Sequence, residues 1–195
     1  MTIVLASASP RRQELLARLN LSFTVMAADL DEESITAPTP ALLVETLSRE
    51  KAAKVSELAE GAPLIIAADT VVVLDGAILG KPRDEAEAFA TLSALSGRVH
   101  EVYTGVTVQQ GSKVHSIHEV SRVRFRPLTP EEITQYIATK EPMDKAGAYG
   151  IQGFGALLVS GIEGDYFNVM GLPLCRLGQL LSSSFGIDIL KQAVN

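Results

Sequence analysis

The sequence predicts an α/β fold, and three stretches carry that expectation. The apolar run Ile3-Val4-Leu5-Ala6 leads directly into a segment whose apolar positions recur at helical spacing. A β-branched run, Leu64 to Leu74, closes on Asp75-Gly76, the dipeptide of a tight hairpin. Val99 to Val108 and Val114 to Phe125 alternate apolar and polar residues around Gln110-Gly111-Ser112 and read as a second, longer hairpin. Helical patterns stand between these strands.

The chain has 195 residues, which sets one domain, or two lobes sharing one sheet, as the expectation for residues 1–195. Hydrophobic residues make up 47% with no Trp, so aliphatic side chains must fill the core. A net charge of -6 argues against binding a nucleic-acid polymer, and any anion site must be a local basic cluster. No apolar run is long enough to span a bilayer, so no membrane role is expected. A lone Cys175 cannot form an internal disulfide and is read as a buried small hydrophobe. The chain begins in a strand without a basic leader. Together these features read as a cytoplasmic protein.

In chain order, Ser7-Ala8-Ser9-Pro10-Arg11-Arg12 comes first. Ser9 suits an N-cap and Pro10 the first helical position. Two hydroxyls and two arginines therefore meet at a strand-to-helix turn where free N–H groups and the positive helix end point outward. That suits a phosphate, although a plain capped helix with solvated arginines reads the same way. Ser22 to Met26 is a second strand. It runs into Asp29, Asp31, Glu32 and Glu33, either a solvated acidic loop or oxygen ligands for a hard divalent cation. Thr39-Pro40 opens a long helix through Glu60, with Lys51 in its middle.

Asp69 lies inside the β-branched run, where a carboxylate must be paired, metal-bound or satisfied by backbone or arginine. Ala77-Ile78-Leu79 returns antiparallel, and Gly80-Lys81-Pro82 places a lysine at its end. Asp84 caps a helix with Ala86, Phe89, Leu92 and Leu95 on one face, ended by Ser96-Gly97. His100, His115 and His118 read as ordinary surface or edge residues, because residues three apart on a strand face opposite sides. Thr129-Pro130-Glu131-Glu132 is a capping box that starts a helix to about Thr139. Asp144 to Gly155 alternates glycines with small residues around Lys145, Tyr149 and Gln152, and is expected to pack against a ligand. Ala156 to Val159 reads as a strand, Gly161 to Gly164 as a turn, and Leu174 to about Ser183 as an amphipathic helix. Ile187 to Asn195 is expected to be peripheral.

The chain lacks a GxxxxGK[ST] loop, a GxGxxG after the first strand, and any Ser-His-Asp or Cys-His set. Arg11, Arg12, Lys51, Lys81 and Lys145, the carboxylates Glu32 and Asp69, and the polar groups of Ser7, Ser9, Thr70 and Gln152 remain. Several cations, two carboxylates and no covalent nucleophile suit direct hydrolysis of a polyphosphate by water.

At this point the sequence resembles the Maf family of nucleoside triphosphate pyrophosphatases. The resemblance runs from Leu5 to about Leu180. It rests on Ser7 to Arg12, Asp31-Glu32, Glu50-Lys51-Ala52, Ala68-Asp69-Thr70-Val71-Val72, Gly80-Lys81-Pro82, Ser96-Gly97, Thr104-Gly105-Val106, Asp144 to Gly153 and Gly171-Leu172-Pro173, in the family's order. It implies an elongated, mixed, twisted sheet flanked by helices, with two lobes and a central cleft in a single Maf-like domain. It implies cleavage between the α- and β-phosphates to a nucleoside monophosphate and pyrophosphate, dependence on Mg²⁺ or another divalent ion such as Mn²⁺ or Co²⁺, and a homodimer.

By the same resemblance, Asp69 matches a proton acceptor and metal ligand, Glu32 a metal-associated acid, and Arg12, Lys51 and Lys81 phosphate-binding positions. Arg11, Thr70 and Gln152 match positions linked to base choice. Ser7, Ser9 and Lys145 complete the expected substrate-binding set. The Asp144–Gly153 loop is similar to that of the branch acting on dTTP and UTP. The alternatives are a substrate such as 7-methyl-GTP, a broader nucleotide set, or a nucleotide-binding regulator of septum formation.

Overall fold

The computed structural model describes residues 2–192 and residue 194. It forms a mixed seven-stranded sheet of order β2 (Thr24–Val25), β1 (Ile3–Leu5), β3 (Leu64–Leu74), β5 (Val99–Gln110), β6 (Lys113–Phe125) and β7 (Val159–Glu163), with β4 (Ala77–Leu79) paired to β3, and helices in the connections. The α/β expectation therefore holds. Among the described residues, no helix is long and apolar enough to cross a membrane.

The chain divides into two compact units. The first comprises Met1–Asp69, Thr104–Glu119 and Gly171–Asn195. In it, β1 (Ile3–Leu5) runs parallel to β2 (Thr24–Val25), pairing Val4 with Thr24, and to β3 (Leu64–Leu74), pairing Val4 with Ile65. Parallel neighbours need crossovers. They are α1 (Pro10–Ala17), which buries Leu15 and Leu16, and α2 (Pro40–Leu58). Thr39 caps α2 by accepting from the Leu42 N–H, as its sequence predicts. Ala52 and Val55 of α2 close over Val4, Ala6, Ile65 and Ala67 to make the apolar floor of this unit.

Gly105 is required by that packing. A Cβ there would lie 2.1 Å from the Val44 carbonyl oxygen, so only glycine lets the strand approach the α2 backbone. This explains the Thr104-Gly105-Val106 motif.

The second unit comprises Thr70–Tyr103 and Val120–Met170. Here β4 (Ala77–Leu79) folds back on β3 through Asp75 and Gly76, both at positive φ, as the hairpin dipeptide predicts. Next come α3 (Glu85–Leu95), capped by Asp84, then the ends of the long hairpin β5 (Val99–Gln110) and β6 (Lys113–Phe125), whose Thr104–Glu119 part belongs to the first unit. α4 (Pro130–Ala138) follows, its Thr129–Glu132 capping box complete in both directions, and packs against α3. Strand β7 (Val159–Glu163) pairs antiparallel with β6, Val123 opposite Ile162. α5 (Tyr166–Met170) closes this unit, while α6 (Leu174–Phe185) and α7 (Ile189–Gln192) belong to the first.

Four expectations are corrected. The strand expected at Ala156–Val159 is instead a 3₁₀ turn, Phe154–Leu157, and β7 begins at Val159 and takes in Gly161. The Ala156 and Leu158 N–H groups bond back to the Gly153 and Gly155 carbonyls and so do not enter a ladder. On α3 the buried stripe is Ala88, Leu92 and Leu95, with Ala86 exposed and Phe89 half-buried. Cys175 is exposed, because at helical spacing it shares a face with the exposed Gln179 and Ser182. His100 is fully buried rather than at the surface. The expected peripheral segment Ile187–Asn195 lies partly outside the described residues, as does the Glu33 side chain of the acidic patch.

Candidate active site

In the first unit, β1 ends at Leu5 and, through Ala6, delivers Ser7, which is 7% exposed, to the start of α1. The Ser7 hydroxyl accepts from the Ser9 N–H at 3.2 Å and from an Arg12 guanidinium nitrogen at 3.4 Å. Arg12 Nε donates to the Gly171 carbonyl at 2.8 Å. Gly171 sits at positive φ, which accounts for glycine in the Gly171-Leu172-Pro173 motif. Ser9 occupies the N-cap position and Pro10 the first turn, but the Ser9 side chain makes no capping bond. The α1 N-terminus thus keeps its dipole with the Ser9 hydroxyl uncommitted to the helix. Arg11, half-buried, adds a second guanidinium on the same turn.

Lys51 projects from α2. Its ammonium lies 2.6 Å from Asp69 Oδ1 and 2.8 Å from Glu32 Oε1. Lys51 and Asp69 are 8% and 6% exposed, so this is a buried ion pair. The Glu32 side chain is 49% exposed, so its share is screened by water. A buried carboxylate in a run of valines and isoleucines thus has its counter-charge. Burial, the largest influence, lowers the Arg12 pKa; Asp69 and Glu32 act the other way, and Arg11 adds to the lowering. Arg12 therefore lies within the field of both carboxylates and of Arg11.

In the second unit, Thr70 follows Asp69 on β3 and is half-buried. Lys81 is exposed and, among the described residues, makes no hydrogen bond or ion pair. The carbonyl of Gly80, just before it, accepts from the Gly147 N–H at 3.1 Å, tying the glycine-rich loop to that turn. A Cβ on Gly147 would press within 2.9 Å of Val72. Lys145 donates to the Glu141 carbonyl and to the Asp144 carboxylate, both at 2.6 Å. Gln152 is exposed. The structure thus gathers Ser7, Ser9, Arg11, Arg12, Glu32, Lys51 and Asp69 in the first unit, while Thr70, Lys81, Lys145 and Gln152 belong to the second.

Two residues not expected from sequence organise the second unit. Glu141 accepts from the Tyr136 hydroxyl and from the N–H groups of Phe154 and Gly155. Burial opposes its charge, but those hydrogen bonds and the nearby Lys145 hold its carboxyl below the usual carboxylate range. Only its place beside a glycine-rich stretch hinted at this in the sequence. His100 Nε2 pairs with the Tyr149 hydroxyl at 2.8 Å, and His100, Tyr149 and Phe125 stack edge to face with centroids 4.9–5.4 Å apart. Strand alternation does place His100 on the buried face with Val102 and Thr104.

Burial pulls the His100 pKa from 6.5 to about 4. The unfolded chain takes up this proton near pH 6.5, the folded chain only near pH 4. The contribution to stability is present above pH 6.5 and is lost as pH falls through that window. Unfolding free energy should drop by about 1.4 kcal/mol per pH unit from this group alone. Denaturant midpoints measured from pH 7 to 4 should fall less steeply in His100→Phe, which keeps the ring packing without the titration. An equal slope in both proteins would sink this assignment.

The two carboxylates converging on one ammonium nitrogen fit a hard divalent cation. Mg²⁺ is commonly held by one or two carboxylates with phosphate oxygens completing its shell. Among the described residues no group of three or more His, Cys, Asp or Glu is placed to hold a metal ion, so the protein donors alone make an incomplete set.

The chain is similar to known proteins over nearly its whole length. A dTTP/UTP pyrophosphatase of Moorella thermoacetica is 53% identical over 189 residues, covering 96% of each chain. One from Carboxydothermus hydrogenoformans is 55% identical over 180 residues, covering 91% of this chain and 95% of the relative. One from Symbiobacterium thermophilum is 51% identical over 187 residues, covering 96% and 95%. The family model described as Maf-like protein matches residues 2–184, which takes in every one of these candidate residues; the chain belongs to the Maf family.

Proposed function

We propose that this chain is a nucleoside triphosphate pyrophosphatase. It hydrolyses dTTP and UTP to the nucleoside monophosphate and pyrophosphate. The observation that carries this reading is the buried Asp69–Lys51 pair at 2.6 Å, joined by the more exposed Glu32 at 2.8 Å, beside Arg12, in a chain about half identical to dTTP/UTP pyrophosphatases over nearly its full length. A pure binding module for an anion gains nothing from a buried carboxylate, which repels the ligand.

The mechanism follows from charge. Arg12, Lys51 and the α1 N-terminus receive the triphosphate, with Lys81 and Lys145 supplying further cations. Asp69 takes the proton from the attacking water. The new P–O bond forms at the α-phosphorus as the bond to the bridging oxygen breaks, and that electron pair leaves on pyrophosphate. Lys51 and Arg12 hold the charge that grows on the leaving group. Glu32 and Asp69 would hold a divalent ion such as Mg²⁺, with Mn²⁺ or Co²⁺ as substitutes. When bound, such an ion supplies Lewis-acid stabilisation of phosphate charge. Arg11, Thr70 and Gln152 choose the base; the Gln152 amide both donates and accepts, as a uracil or thymine edge requires.

The test is pyrophosphate release with Mg²⁺ from dTTP, UTP, CTP, GTP, 7-methyl-GTP, ITP and pseudouridine triphosphate. Turnover is expected to be strongest for dTTP and UTP. Turnover confined to 7-methyl-GTP would overturn the base assignment and keep the chemistry. Tight binding without turnover of any nucleotide would favour a nucleotide-binding regulator.

A further inference from the structure

The turn that carries Gln152 is clamped on both flanks by one side-chain pair. Gly153 N–H bonds back to the Gly150 carbonyl at 3.2 Å and closes the turn around Ile151 and Gln152. On its near flank, the Gly150 N–H donates to the Tyr136 hydroxyl at 3.0 Å. On its far flank, Phe154 N–H donates to Glu141 Oε2 at 2.9 Å and Gly155 N–H to Oε1 at 3.0 Å. The Tyr136 hydroxyl itself donates to Glu141 Oε1 at 2.8 Å, so both flanks end on a single carboxylate.

The glycines follow from this. A Cβ on Gly153 would lie 2.1 Å from Glu141 Oε2, and one on Gly155 would lie 2.8 Å from the Tyr136 hydroxyl. The glycine spacing is therefore what lets the loop wrap an acid, and not only a source of looseness. Glu141 also accepts the Lys145 ammonium at its own carbonyl. One residue thus sets the start of the loop and the turn at its tip.

We infer that Glu141 is a positioning residue for nucleotide-base selection, holding the Gly150–Gly155 turn so that Gln152 is presented in one shape. Its hold on the loop stands on the geometry alone. Its effect on selectivity rests on the proposed hydrolysis of nucleoside triphosphates. Glu141→Gln is the sharp variant, because an amide NH₂ must then face a backbone N–H or the Tyr136 hydroxyl. Tyr136→Phe is the milder one, removing the hydroxyl that links Gly150 to Glu141 while leaving the Glu141 bonds to Phe154 and Gly155.

Two readouts decide it. Amide hydrogen exchange at Phe154 and Gly155 is expected to quicken at least about tenfold in Glu141→Gln while the protein still melts cooperatively. In steady-state kinetics the KM for dTTP and UTP should rise about tenfold with kcat within about threefold, and the preference for dTTP over CTP should shrink at least about fivefold. Tyr136→Phe should move both readouts the same way by less. Gln152→Ala should show the same loss of preference, and adding Glu141→Gln to it should cost little more, because the two act as one unit.

Unchanged exchange in Glu141→Gln would overturn the hold on the loop. Faster exchange with the dTTP preference intact, or effects additive with Gln152→Ala, would overturn the selectivity role. If the wild-type protein turned over no nucleotide, the proposed function and the selectivity role would both fall, and exchange would still decide the loop.

Discussion

Asp69→Asn is expected to lose turnover by about 10³-fold in kcat while keeping the fold and nucleotide affinity. The substitution preserves shape. An Asn oxygen can still accept from the Lys51 ammonium, which lies 2.6 Å from the present carboxylate oxygen. What it removes is the negative charge that takes the water's proton and attracts a divalent ion. Pyrophosphate release from dTTP measures the first effect, and calorimetric titration with dTTP measures retained binding. A variant turning over near the wild-type rate would remove Asp69 from the chemistry. One that failed to bind dTTP would point to a binding role in its place.

Lys51→Met carries the largest expected loss of stability. Asp69 is 6% exposed, and the Lys51 ammonium lies 2.6 Å from its carboxylate. Removing one partner of a buried pair leaves an uncompensated charge at a cost of about 3–5 kcal/mol. The 49% exposure of the Glu32 side chain means that its lost contact adds little. The double variant Lys51→Met with Asp69→Asn should recover a large part of the loss, since the orphaned charge is then gone. Urea midpoints of the three variants measure this. A loss below about 1 kcal/mol in Lys51→Met would mean the pair behaves as a screened surface bridge. Activity should fall in both Lys51 variants whatever their stability, because Lys51 is one of the proposed phosphate ligands.

Much of the fold was legible because its signals are local. Thr39, Asp84 and Thr129 each cap the helix their sequence announces, by a bond to a backbone N–H three residues on. Asp75-Gly76 sets the hairpin because both residues must take positive φ. The stretch after Gly153 was misread for the opposite reason. Ala156 to Val159 reads locally as a short apolar strand, but the Ala156 and Leu158 N–H groups turn back to the Gly153 and Gly155 carbonyls, in a loop held by a carboxylate 13 residues upstream of Phe154. His100 is similar. Its burial depends on Tyr149, 49 residues away, whose hydroxyl gives the imidazole a partner.

The sequence by itself determined which chemistry is available: an acid inside a β-branched run, arginines at a strand-to-helix turn, lysines at the middle of a helix and the end of a hairpin. Those follow from residue type and from periodicities that short segments obey. Only the tertiary structure decided which charges meet. Lys51 bridges Glu32 and Asp69, Arg12 reaches the Gly171 carbonyl 159 residues on, and Glu141 gathers the glycine-rich loop. These partners lie far apart in the chain, and a buried charge takes whichever counter-group the packed backbone brings within hydrogen-bond distance.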